Sequence, residues 1–176
     1  MKKINFLILF TITSLLVNCS SEEKKNEKKN DLENKQLELI VEFKSQVNDR
    51  FKVYYTVAPN VEITGEYMLT NYTFGSNELQ KTVFKFPSGE VPYKIRLDVG
   101  ENQLNDRISI KNISINYNNK VIDGDNGKFM PFWALNECIK YDENNFIYNI
   151  IPLNGKKGPV LVGNTDLEEE LLKLYK

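Results

Sequence analysis

The order of apolar and polar positions divides the chain into three stretches. From Ile4 to Val17 the residues are mostly apolar and uncharged, interrupted by Asn5, Thr11, Thr13 and Ser14, with Lys2 and Lys3 in front. Such a run fits the core of an export signal, about 7–15 residues, and is shorter than the ~20 residues of a membrane-spanning helix. Residues 20–35, SSEEKKNEKKNDLENK, then carry dense charge of both signs around one large apolar side chain, Leu32. Too little surface can be buried there to offset the entropy of ordering, so this segment reads as a disordered, solvated tether.

From Leu37 the period changes to two. Leu37, Leu39, Val41 and Phe43 alternate with Glu38, Ile40, Glu42 and Lys44, the pattern of an in-and-out strand. Phe51, Val53, Tyr55 and Val57 share a second face, with Tyr54 on the opposite side. Asn48-Asp49 between the two runs supplies turn chemistry, so they read as a hairpin. Further strands are expected over 62–73, 82–86, 93–99, 107–117 and 146–151. Turn clusters such as Gly75-Ser76-Asn77, Pro87-Ser88-Gly89 and Gly100-Glu101-Asn102 separate them. Many short strands with no helical period between them predict an all-β sandwich or barrel.

Two local patterns are sharper. In Ile95-Arg96-Leu97-Asp98-Val99 the apolar residues face one way, while Arg96 and Asp98 share the other. Ile108 and Ile110 keep an even register but Ile113, Ile115 and Tyr117 an odd one, which predicts a β-bulge around Lys111-Asn112. Only the C-terminus returns to a helical period. Thr165-Asp166-Leu167-Glu168 has capping-box spacing, and Leu167, Leu171, Leu174 and Tyr175 fall on one face. A short amphipathic helix is expected over 166–175, packed on the sandwich or on a partner.

Composition narrows the functions available. The 176 residues, 41% hydrophobic and 27% charged, leave room for one domain after the leader. The expected division is 1–18 signal peptide, 19–36 modified cysteine and tether, and 37–176 sandwich with its helix. A net charge of −1, with lysines matched by nearby acids, offers no basic surface for nucleic acid. The chain has no histidine, which excludes His-based triads and His zinc ligands.

The signal run ends in Leu16-Val17-Asn18-Cys19-Ser20-Ser21, which resembles a bacterial lipobox. That resemblance implies lipidation of Cys19, cleavage before it, and attachment to a membrane of the cell envelope, at the outer membrane or cell surface. Glu22 and Glu23 resemble the acidic signal that sends some lipoproteins to the surface; a plain spacer explains them equally well. Within the domain, a Phe-Pro segment, then IRLDVG, then ISIKNISINYNN, most specific from Phe84 to Lys120, resembles galactose-binding-like and carbohydrate-module-like jelly rolls. The likeness covers roughly residues 40–150. It implies two sheets of about eight to ten strands in all, a scaffold used to bind sugars or other proteins.

The candidate site residues follow from those expectations. Sugar sites combine aromatic faces with hydrogen-bonding side chains, and Tyr54, Arg96, Asp98 and Trp133 supply both. Tyr67 and Tyr72 are alternatives, and the apolar run around Trp133 equally suits a core position. Asp123-Gly124-Asp125-Asn126-Gly127 places hard oxygen ligands in a loop, so a structural calcium at Asp123 and Asp125 competes with a plain Asx-rich loop. No other cofactor is expected. Asp98, Glu101 and Asp106 around one loop offer carboxylates for acid–base chemistry, with no motif fixing their separation. Cys138 lies among apolar neighbours and reads as a buried, inert thiol. The balance favours a non-catalytic binding domain for glycan, with a structural or protein-interaction role in the envelope as the alternative.

Overall fold

The computed structural model describes residues 36–155 and 158–176; the signal run, Cys19 and the tether lie outside the described residues. Eleven strands are found among them: β1 (Glu38–Ser45), β2 (Asp49–Thr56), β3 (Met68–Thr73), β4 (Ser76–Lys85), β5 (Lys94–Asp98), β6 (Arg107–Tyr117), β7 (Lys120–Ile122), β8 (Trp133–Leu135), β9 (Ile139–Asp142), β10 (Ile147–Ile150) and β11 (Val160–Gly163). One α-helix, α1 (Thr165–Leu174), follows β11. The strands form two antiparallel sheets, ordered β4-β1-β6-β10-β9 with β7 also on β6, and β3-β2-β5-β11-β8. This is the expected jelly-roll-like sandwich with a short C-terminal helix.

Period-two burial builds the core from both sheets. Leu39, Val41 and Phe43 of β1 and Phe51, Val53 and Tyr55 of β2 are all buried in one cluster. Each such side chain contributes about 1.5–3 kcal/mol by leaving water. The Phe43 and Phe51 rings lie 4.6 Å apart. The hairpin expected of β1 and β2 does not form, because β1 pairs with β4 and β6 while β2 pairs with β3 and β5. Turn chemistry at Asn48-Asp49 reverses the chain, but the inward rows of the two strands pack face to face across the sandwich.

Asp49 anchors that turn. Its carboxylate, 7% exposed, accepts hydrogen bonds from the backbone N–H of Arg50 (2.8 Å), Glu101 (2.7 Å) and Asn102 (3.0 Å). Asn105 Nδ2 adds a fourth at 3.3 Å. The β5–β6 loop is thereby tied to the β1–β2 turn. Gly100, at φ 131°, is required there: a Cβ would sit 2.2 Å from Asp49 Oδ2.

The bulge expected near Lys111-Asn112 is present. Phe43 pairs with Ile110 and Glu42 with Asn112, so Lys111 is the extra residue of β6. Helix α1 buries Leu167, Leu171 and Leu174 against its own domain. Its cap is Asn164, one residue before the expected Thr165: the Asn164 side chain accepts from the Leu167 N–H at 3.1 Å.

Candidate ligand-binding cleft

The register of β2 against β5 sets Tyr54 opposite Arg96 and Lys52 opposite Asp98 on the outer face of the second sheet. Three of the four sequence-predicted ligand residues therefore meet. They meet mainly to satisfy one another. Arg96 lies 5.1 Å over the Tyr54 ring and donates from Nε and Nη2 to the two Asp98 oxygens at 2.7 and 2.8 Å. The planar fork, both carboxylate oxygens and one aromatic face are thus engaged. Burial nonetheless raises Asp98 above the ordinary carboxylate range, outweighing the Arg96 pairing.

Beside this triad, Glu101 accepts from Lys52 Nζ at 2.6 Å and from Arg50. The bond from Lys52 leads in holding Glu101 below its usual range. Asp106 pairs with Arg107 at 3.3 Å. Each of the three carboxylates considered for acid–base chemistry thus faces its own cation. Trp133, 7% exposed, belongs to the core, on β8 opposite Gly163. Cys138 is a buried free thiol.

A more enclosed space lies on the other sheet. β10 pairs with β6 only at Arg107 and Ile108, and β7 only from Ile115 to Tyr117. Between those points, from Ser109 to Ser114, that side of β6 carries no strand. The loop after β7 fills part of the gap. Gly124 N–H donates to Ser114 Oγ at 3.0 Å, and a Cβ at Gly124 would lie 1.9 Å from the Ile113 carbonyl oxygen. Only glycine allows the loop to approach β6 so closely.

What remains is a half-open cleft of about 510 Å³, within the range of small-ligand sites. Ile110, Phe129 and Met130 give its apolar wall; Tyr141, Tyr148 and Phe146 give its aromatic one. Ser109, Lys111 and Asn126 supply the polar groups. Tyr148 and Tyr141 face each other across β10 and β9, with ring centroids 4.9 Å apart. Tyr148 is 2% exposed, and burial raises its phenol well above the ordinary range.

The β9–β10 tip shapes the mouth. Asp142 closes the turn by accepting from the N–H groups of Asn144 (3.0 Å) and Asn145 (3.3 Å) and from Asn145 Nδ2 (2.9 Å). Phe146 then adopts φ 54°, a left-handed conformation that bulky residues rarely take, and its side chain is 72% exposed. Ser109 Oγ donates to the Phe146 carbonyl at 3.4 Å, holding the tip against β6.

Asp123 and Asp125, considered above for calcium, belong to the rim of this cleft. Asp123 Oδ1 accepts from the Asp125 N–H at 3.0 Å and its Oδ2 from Lys128 Nζ at 2.5 Å. Asp125 accepts from the N–H (2.9 Å) and Nδ2 (3.2 Å) of Asn126. These are the bonds of an Asx-type turn, and they commit the oxygens a metal would need. Among the described residues no group of three or more His, Cys, Asp or Glu side chains converges on a metal-sized space.

Tyr141, Phe146 and Tyr148, which line the cleft, are not among the residues marked by the sequence pattern. The available signal was an aromatic directly after Asn144-Asn145, a turn position rather than the strand start assigned to it. No protein-family model, curated protein or solved structure matches the chain.

Proposed function

We propose that this chain is a lipid-anchored protein of the cell envelope whose β-sandwich is a non-catalytic glycan-binding domain. The lipobox-like end of the signal run supports the anchor, through Cys19. A lipid chain contributes about 0.8 kcal/mol per buried CH₂, and two or more chains hold a protein stably at a membrane.

The cleft between β6, β10 and the loop after β7 is the observation that carries the binding reading. It combines aromatic rings, on which sugar C–H groups pack, with a few hydroxyl and amide groups and one ammonium that can bond sugar hydroxyls. Phe146 adds a further sign. A strained, solvent-facing aromatic contributes little to folding and persists where it is used.

A second reading is a protein-interaction role in the envelope, and one surface favours it. Tyr72, Phe74 and Leu104 are strongly exposed on segments next to the β1–β2 turn, where Gly75 N–H donates to Asn48 Oδ1 (2.7 Å) and Asn102 Nδ2 to the Asn48 carbonyl (2.8 Å).

A glycan array probed with the full chain in detergent separates the two. Saturable binding to a defined sugar supports the first reading. Silence across a broad array, together with an envelope protein that co-purifies through Phe74 and Leu104, supports the second.

A further inference from the structure

Resting on the glycan reading, we infer that the cleft selects sugars bearing a carboxylate, with Lys111 as the residue that recognises the acid. A regular β6 would continue its alternation past Ile110; the extra residue re-aims the strand, and that residue is Lys111. Its side chain reaches the cleft, where it is the one charged residue among those lining the space. Lys111 thus brings a cation to the lining of the cleft.

The anion closest to Lys111 competes weakly. Asp125 Oδ1 lies 3.7 Å from Lys111 Nζ, at the long limit of an ion pair, and both side chains are about half exposed. The same Asp125 oxygens already accept from Asn126. An ammonium with three donors thus keeps capacity for a carboxylate on a ligand seated between Phe146 and Met130. Within a half-enclosed aromatic cleft such a bond is screened less than on an open face.

The remaining parts assign the rest of the ligand. Phe146 at the mouth presents a free aromatic face to the sugar ring. Tyr148 is nearly fully buried, with no hydrogen bond to its phenol among the described residues, and is placed to bond a ring hydroxyl. The other cations near the rim are taken: Lys128 is committed to Asp123.

The test compares matched oligosaccharide pairs, glucuronate with glucose and galacturonate with galactose, by calorimetry on the full chain in detergent. Wild type is set against Lys111→Gln, Phe146→Ala and Tyr148→Phe. The expected result is about tenfold tighter binding of the acidic member of one pair. That preference should shrink as salt is added and vanish in K111Q, while F146A weakens both members alike. Equal binding of acid and neutral sugars, or a preference that survives K111Q, overturns the inference and leaves the glycan reading intact. Failure of every pair overturns it too, and a broad array then decides separately whether any sugar binds.

Discussion

Phe146 allows function and stability to be separated at one position. Its φ of 54° costs a side chain with a Cβ about 1–2 kcal/mol relative to the right-handed region. With 72% of the residue exposed, about a quarter of a ~200 Å² aromatic surface is covered, roughly 50 Å², or about 1.3 kcal/mol at ~25 cal/mol per Å². Phe146→Ala removes the covered surface and keeps the strain, so it should destabilise the domain by about 1 kcal/mol. Phe146→Gly removes both. The relieved strain exceeds the roughly 0.4–1 kcal/mol that glycine adds to the entropy of the unfolded chain. F146G should therefore be more stable than F146A by about 0.5–1 kcal/mol and close to wild type. Urea unfolding of the three proteins resolves differences of that size when the midpoints are compared at constant slope. Both variants should bind sugar more weakly than wild type. An F146G protein no more stable than F146A would refute the claim of strain, and an F146A protein with full sugar affinity would refute the claim of use.

Asp49→Ala leaves three backbone N–H groups without their acceptor and should cost about 3 kcal/mol, lowering the melting temperature by roughly 10 °C; a loss under about 1 kcal/mol would show that water replaces the carboxylate freely. Burial raises the phenols of Tyr148 and Tyr175 above the value of 10.0 that they take when exposed, so their contribution is complete below pH 10 and is lost as pH rises from there through the folded-state value. Urea midpoints should accordingly fall as pH rises above about 10, less steeply in Tyr148→Phe; an unchanged slope in that variant would contradict the assignment. Arg96→Ala should leave sugar affinity within about twofold, because the Tyr54–Arg96–Asp98 cluster is self-satisfied, whereas loss of binding in a calorimetric titration would return the site to that face.

The alternation of β1, β2, β5 and β6 made the all-β fold legible, and the phase change at Lys111 placed the bulge correctly. Those signals are local. Whether β1 and β2 would pair edge to edge or face to face was not local, because Asn48-Asp49 permits both; the packing of Phe43 on Phe51 decides it. Short strands were missed for a related reason. Trp133–Leu135 and Ile139–Asp142 are three and four residues long, too brief for a period to emerge.

The same distinction governs the site. Tyr54, Arg96 and Asp98 were legible as outward-facing residues because they alternate along two strands, yet their meeting and mutual satisfaction depend on register. Tyr141 and Tyr148 become neighbours only through β9–β10 pairing, and Phe146 becomes a cleft residue only because β10 leaves β6 after Ile108. The Asp123–Gly127 loop drew notice for its oxygens; its larger part in the fold is to form the cleft rim through Gly124.

The central claim is that this cleft is where the domain takes a sugar. Backbone amide NMR shifts of the full chain in detergent, recorded during titration with a panel of acidic and neutral oligosaccharides, test it most directly. At least one sugar should move the signals of residues 109–111, 126–130 and 141–148 together, in a saturable manner. Shifts centred on Tyr54, Arg96 and Asp98, or no shifts with any sugar of the panel, would contradict it.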